Sequence, residues 1–132
     1  MENEKSKVAE IIVEYNNVFA KLNPLILGSF YHYPSILITP ETVVTINNRL
    51  KLWLVFTKIV TDLKKQNYGR SEISPLNVKL LSNNLALISA IVTRYTKDNQ
   101  LLTTFSFTYT MRKVEGRWKI IVGTIHDVES VS

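Results

Sequence analysis

The last third of the chain, Leu85 to Val128, most narrows what it can fold into, because it reads as three long strands joined by two tight turns. In the closing hairpin, Met111-Arg112-Lys113-Val114 leads through Glu115-Gly116 into Arg117-Trp118-Lys119-Ile120. A Gly after a polar residue, between two runs of period-2 alternation, marks a two-residue loop in which Gly supplies a positive φ. That loop pairs Val114 with Arg117. Carried along the strands, it sets Met111 against Ile120, Tyr109 against Val122, Phe107 against Thr124 and Phe105 against His126. Opposed residues share a face. One face then carries Phe105, Phe107, Tyr109, Met111, Ile120, Val122 and His126. The other carries Thr104, Ser106, Thr108, Thr110, Ile121, Gly123, Ile125 and Asp127.

The hairpin before it turns at Asp98-Asn99, residues that tolerate left-handed geometry. Pairing Lys97 with Gln100 sets Val92 against Phe105, Ala90 against Phe107 and Ile88 against Tyr109. A slip of one residue would present Ile91 and Ser89 instead. A small residue beside each large aromatic favours the first register.

Upstream, Val8, Ile11, Ile12, Tyr15, Val18, Phe19 and Leu22 follow the spacing of an amphipathic helix. Ser6 is its expected N-cap, and Asn23-Pro24 ends it, since the residue before Pro disfavours helix. Pro24 to Gly28 fits one further helical turn with Pro at its start. Phe30 to Pro34 and Ser35 to Thr39 read as short extended segments. Pro40-Glu41 reads as a turn, and Thr42 to Ile46 as a returning strand. Asn47 or Asn48 caps a helix from Arg49 to Lys65. Its apolar positions cover more than half the circumference, which predicts packing between the sheet and another element. Asn67-Tyr68-Gly69 stops that helix, and Ile73 to Leu81 is a further strand turning at Asn83-Asn84.

At 132 residues the chain is expected to form one domain, 1–132. It has no cysteine, which excludes disulfides and thiolate metal sites. The charged start, Met1 to Lys7, lacks a following apolar run, and no stretch has the length of a membrane span, so a cytoplasmic protein without membrane attachment is expected. The net charge of +5 comes from sixteen Lys and Arg residues spread along the chain rather than gathered around exposed aromatics. Nucleic acid is therefore not an expected partner. The four glycines are scattered, so no phosphate-cradling loop exists, and no Ser stands in a nucleophile elbow. Two histidines without a neighbouring carboxylate do not make a metal site, and no cofactor is called for.

Helices first and strands after argue an α+β domain with helices on one face of a curved sheet. In element order, in Tyr31-His32-Tyr33-Pro34 with Ile36 to Pro40 between the helices, and in the closing Trp118-Lys119-Ile120 to His126-Asp127 strand, nearly the whole chain resembles the nuclear transport factor 2-like superfamily, also called SnoaL-like or cystatin-like, in a branch without assigned function. The resemblance implies a cone: a curved antiparallel sheet wrapped around the N-terminal helices, a pocket at the wide end, and a homodimer through the convex sheet face. The aromatic face would then be concave. The convex face would carry Ile91, Ile121 and Ile125 among hydroxyls.

Three functions compete on this reading. The first is a small apolar molecule bound without catalysis among Tyr15, Phe19, Trp53, Phe105, Phe107, Tyr109 and His126. The second is a SnoaL-like isomerase, dehydratase or cyclase. The resemblance implies that such an enzyme keeps an Asp or His in its pocket, in the steroid-isomerase branch an Asp directly before a Pro, with a Tyr on the first helix as oxyanion donor. Here Tyr33 stands before Pro34, and a phenol with a pKa near 10 is a poor base. His126, His32 and Tyr15 remain the candidates. Asp127 cannot join His126 within a regular strand, since neighbours there point to opposite faces. The third is a dimeric interaction module whose cone is filled by its own side chains.

Overall fold

The first helix, α1 (Glu2–Phe19), starts four residues ahead of Ser6, which therefore lies inside the helix and is not its N-cap. A tertiary contact explains the early start. Glu4 accepts hydrogen bonds from the Trp118 indole N–H at 2.9 Å and from the Lys113 ammonium at 3.2 Å, tying the first turn to the closing hairpin. These two donors hold the Glu4 carboxyl below its usual range. Val8, Ile12, Tyr15 and Phe19 are buried at the spacing expected of one helix face. The computed structural model describes residues 2–128. The ends of the expected 1–132 domain, residue 1 and residues 129–132, lie outside the described residues.

Pro24–Phe30 forms a 3-10 segment capped by Asn23, whose side chain accepts from the Leu25 N–H at 3.1 Å. Proline suits this start because its missing N–H would have no partner there. The two expected extended segments are one strand, β1 (Tyr31–Ile38), containing a cis Tyr33–Pro34 bond. After β2 (Val43–Ile46) comes α2 (Arg49–Lys65), capped by Asn48, which accepts from Lys51 N–H at 2.9 Å. Leu52, Phe56, Val60 and Leu63 face inward, whereas Leu50, Trp53 and Leu54 are exposed. The helix packs inward on the 3-10 segment, β2 and the strand Tyr68–Ile73, while the side carrying Leu50, Trp53 and Leu54 stays uncovered among the described residues.

One expected strand, Ile73 to Leu81, is two: β3 (Tyr68–Ile73) and β4 (Asn77–Leu80). Both pair antiparallel with β5 (Leu85–Thr96), from Ile73 opposite Val92 to Asn77 opposite Ser89, so 74–76 hold one residue more than the partner strand. The break falls at Pro75, which has no N–H for the ladder. Ser74 bridges it, donating from its N–H to the Ile91 carbonyl at 2.9 Å and accepting from Ile91 N–H at 2.8 Å. Tyr68 and Gly69 do more than stop α2: buried Tyr68 opens β3, and a Cβ on Gly69 would lie 2.7 Å from backbone atoms of Thr96 and Lys97.

The sheet is completed by β6 (Leu101–Val114) and β7 (Arg117–His126), in the order β2-β1-β7-β6-β5-β3. Every pairing is antiparallel except β1 with β7, which makes the curved sheet mixed. Between β5 and β6 the expected register holds through Ile88–Tyr109, Ala90–Phe107 and Val92–Phe105. The loop differs: it spans 97–99, closed by a Thr96 N–H bond to Gln100 at 2.8 Å, with the extra residue absorbed between Arg94 and Tyr95 pairings. The last hairpin turns at Glu115 and Gly116, both at positive φ (52° and 79°) as a two-residue hairpin loop requires.

Along β6–β7 the pairing keeps the expected register from Val114–Arg117 to Met111–Ile120, then slips by one at a bulge, so that Thr110 meets Val122, Tyr109 meets Gly123 and Ser106 meets His126. One extra residue in a strand exchanges the faces of everything beyond it. Gly123 and Ile125 therefore join the concave face. Val122, Thr124 and His126 move to the convex one, reversing the expectation for these residues.

Candidate functional site

The concave face and the helices enclose a cavity of about 420 Å3. Its walls come from Tyr15 and Phe19 of α1, Leu37 of β1, Phe56 of α2, Phe105 of β6 and Ile125 of β7. A smaller chamber of about 50 Å3, reaching Phe107 and Val92, adjoins it. Tyr15, Phe19, Arg94, Phe105, Tyr109 and Ile125 line both chambers. Gly123 leaves room here, because a Cβ on it would lie 3.1 Å from Leu37 and 3.3 Å from the Tyr109 ring.

The walls are held by ring contacts. Tyr15 meets Phe30, Tyr31 and Tyr109 edge-on at centroid distances of 5.3, 5.8 and 6.2 Å. Phe107 stacks on Tyr109 at 4.4 Å. Such contacts add to plain burial and fix ring orientation. The Tyr15 and Tyr31 hydroxyls share one hydrogen bond of 2.6 Å. Burial pushes the phenols of Tyr15 and Tyr31 well above their ordinary value and that of Tyr109 up to about 12. All three are neutral phenols at physiological pH, able to donate.

Arg94 is the one charged residue lining either chamber among the described residues. Its guanidinium lies 4.7 Å from the centre of the Phe105 ring and 5.4 Å from that of Phe19. Its Nε is buried without a hydrogen-bond partner among the described residues. Desolvation lowers its pKa, while the nearby phenols of Tyr68, Tyr109 and Tyr15 act the other way.

Of the residues singled out from the sequence, Tyr15, Phe19, Phe105, Phe107 and Tyr109 face the cavity system. Trp53 does not: it sits 37% exposed on the outer side of α2, where the next turn sends Phe56 inward instead. His126 does not either, because the β7 bulge turns it to the convex face, where its Nε2 meets Thr108 Oγ1 at 2.9 Å. His32 lies by Arg112, which donates to its Nε2 at 2.8 Å, while its Nδ1 donates to the Pro34 carbonyl at 2.8 Å. The two histidines thus engage β6 residues four positions apart, about 13 Å along the strand. They are not brought together with Tyr15. The Tyr33 hydroxyl donates to the Gly28 carbonyl at 3.1 Å and does not line the cavity. No group of acidic, His or Cys residues that could hold a metal ion occurs among the described residues.

Arg94, Phe56, Ile59 and Ile125 are site residues that the sequence reading missed. Arg94 continues the alternation of Ala86, Ile88, Ala90 and Val92 by one step, and that was the signal available for it.

A curved sheet over two helices, with an aromatic cavity between them, defines the cystatin-like, nuclear transport factor 2-like class of fold. Residues 3–128 match the family described as "NTF2-like protein (DUF6841)", and the chain belongs to that family. Among solved structures it is similar to an NTF2-like protein with a cystatin-like fold from Novosphingobium aromaticivorans (TM-score 0.80, 10% identity, covering 98% of this chain and 85% of that one). A cystatin-like protein of unknown function from Nostoc punctiforme is similar too (TM-score 0.79, 12% identity, 99% and 96% covered). So is a protein of N. aromaticivorans provisionally assigned as a scytalone dehydratase (TM-score 0.74, 12% identity, 98% and 95% covered). At these identities the likeness is one of fold. No curated protein matches the chain. No helix among the described residues is long and apolar enough to cross a membrane.

Proposed function

We propose that this chain binds a small apolar molecule inside the cone. The observation that carries the reading is the cavity of about 420 Å3, walled by aromatic and aliphatic side chains with a few polar groups aimed inward. This is the composition expected of small-molecule sites, and a cone filled by its own side chains would not leave such a space. The dehydratase designation of one neighbour concerns that protein. For acid–base chemistry of that kind, this cavity offers phenols and a guanidinium, with both histidines outside it.

The test uses the neutral, environment-sensitive fluorophore N-phenyl-1-naphthylamine. Wild-type protein is expected to enhance and blue-shift its emission. Thr103 is an exposed residue of the cavity wall, so a Thr103→Trp plug should fit there without repacking the core, and it is expected to abolish most of the enhancement. Ile125→Trp, deeper in the same wall, should do likewise. Emission unchanged by either plug, or never enhanced, would count against the reading.

Two chains meeting through their convex sheet faces form a second element of the proposal. Ile91 and Leu85 stand exposed there among Ser and Thr residues, a surface better suited to a matching sheet than to water. Ile91→Glu should then convert a species of twice the chain mass in sedimentation velocity into one of a single chain. A wild-type protein that sediments as a single chain at high concentration rules this out.

A further inference from the structure

We infer that the occupant of the cavity is an aryl monocarboxylate, with its carboxylate held by Arg94. The inference rests on the small-molecule reading above and adds the ligand's charge and class.

A buried guanidinium normally finds a carboxylate, because taking a charge out of water is costly unless it is paired and hydrogen-bonded. Arg94 has neither kind of partner among the described residues. Its Nε is sealed from solvent without a hydrogen bond, and it takes part in none of the ion pairs found among the described residues. What surrounds it is aromatic: Phe105 at 4.7 Å and Phe19 at 5.4 Å from ring centre to guanidinium carbon. These contacts orient the group through the ring quadrupoles but bring no negative charge. The planar fork of five N–H donors therefore lines a cavity that holds no carboxylate and in which it meets no hydrogen-bond acceptor among the described residues. A carboxylate is its geometric complement, accepting two parallel hydrogen bonds.

The phenols extend the same pattern. Tyr15 and Tyr31 have two hydroxyl protons between them and use one in their mutual hydrogen bond, leaving the other to donate. The Tyr109 hydroxyl has no protein partner among the described residues and stands in the wall of both chambers. Apart from the neutral side chains of Thr39, Thr103, Ser71 and Asn16, the polar groups lining the two chambers are these three phenols and the guanidinium, with no carboxylate among them.

The rest of the lining selects the body of the ligand. Phe19, Phe56, Phe105 and the Tyr109 ring offer flat apolar faces, and a space of about 420 Å3 accommodates a two-ring molecule. One guanidinium balances one charge, and no glycine-rich loop stands among the residues lining the two chambers. A monoanion therefore suits the site better than a doubly charged phosphate ester.

The experiment titrates the full chain with 2-naphthoate and, separately, with its neutral isostere 2-naphthamide, by isothermal titration calorimetry at pH 7. Naphthoate is expected to bind at least about tenfold tighter, the low end of what a charge-assisted hydrogen-bond pair contributes. Arg94→Gln should bring the two affinities to within about threefold by weakening naphthoate alone, and Arg94→Lys should retain part of the preference. Circular dichroism melts of both variants verify that they fold. Equal affinities for acid and amide in the wild type, or a preference that survives Arg94→Gln, overturn the anion inference while leaving the apolar cavity reading standing. Failure of both probes to bind overturns the two together.

Discussion

Between about pH 10 and pH 12 the folded chain is expected to lose about 3 kcal/mol of stability through Tyr109 alone. The cause is burial in the cavity wall, which raises this phenol from 10.0 to about 12 and outweighs the nearby Arg94 guanidinium, whose charge would lower it. In the unfolded chain Tyr109 releases its proton near pH 10, whereas in the folded chain it keeps it to about pH 12. In that window the unfolded state binds fewer protons, so stability falls as pH rises. The contribution is complete below pH 10 and gone once the pH has passed the folded value. Two units at about 1.4 kcal/mol each give the figure stated. Tyr15 and Tyr31, raised chiefly by burial, add to the loss in the same direction. Urea titrations at steps between pH 8 and pH 12 would record it. Tyr109→Phe should fold normally at pH 8, since that hydroxyl has no protein hydrogen bond to lose, and should flatten the alkaline slope by about one proton. Parallel slopes for the two proteins, or ultraviolet titration of all six tyrosines near pH 10, would contradict the account.

The same residues indicate how far the sequence could be read. Hairpin chemistry and alternation placed β5 against β6 in the observed register, and the Glu115-Gly116 loop set the first four pairs of the last hairpin, because both signals are local. The bulge in β7 was not legible. Nothing in Ile120-Ile121-Val122 distinguishes an in-register run of β-branched residues from one carrying an extra member, and a single inserted residue sends His126 outward and Ile125 inward. The break in the edge strand did have a visible cause, Pro75, although Tyr68 to Ile73 lacks the apolar alternation that identifies a strand. Half of that strand's side chains face solvent and it is held by main-chain bonds to β5. Trp53 and Phe56 show the limit for helices. An apolar circumference does not say which side is covered; the helix contacts do, and they are tertiary. Arg94 lies one step beyond the apolar alternation of Ala86 to Val92, and a charge at that position is what makes it informative.

Replacing Arg94 by Met is expected to stabilise the free protein by about 1–2 kcal/mol while removing its response to aryl carboxylates. Uncompensated buried charge destabilises by several kcal/mol, and an apolar side chain of similar volume removes that cost. Against this stands the loss of two ring contacts at about 0.5–1 kcal/mol each, and Arg94 is only half-buried as a residue, which lowers the cost of its charge. The balance remains on the side of Met and corresponds to a rise in Tm of roughly 4–8 °C. A ligand that binds only the folded state changes the order. At a hundredfold excess over Kd, 2-naphthoate adds about 2.7 kcal/mol to the wild type and little to the variant. Differential scanning fluorimetry with and without the acid should therefore show the two melting curves exchanging places. Such a crossing would mean that stability is given up in the empty protein to keep a cation ready for its ligand. If Arg94→Met melts below the free wild type, the guanidinium is satisfied without a ligand and its place in the cavity is structural. If the variant melts higher but the acid moves both curves equally, the charge is costly and yet plays no part in recognising a carboxylate.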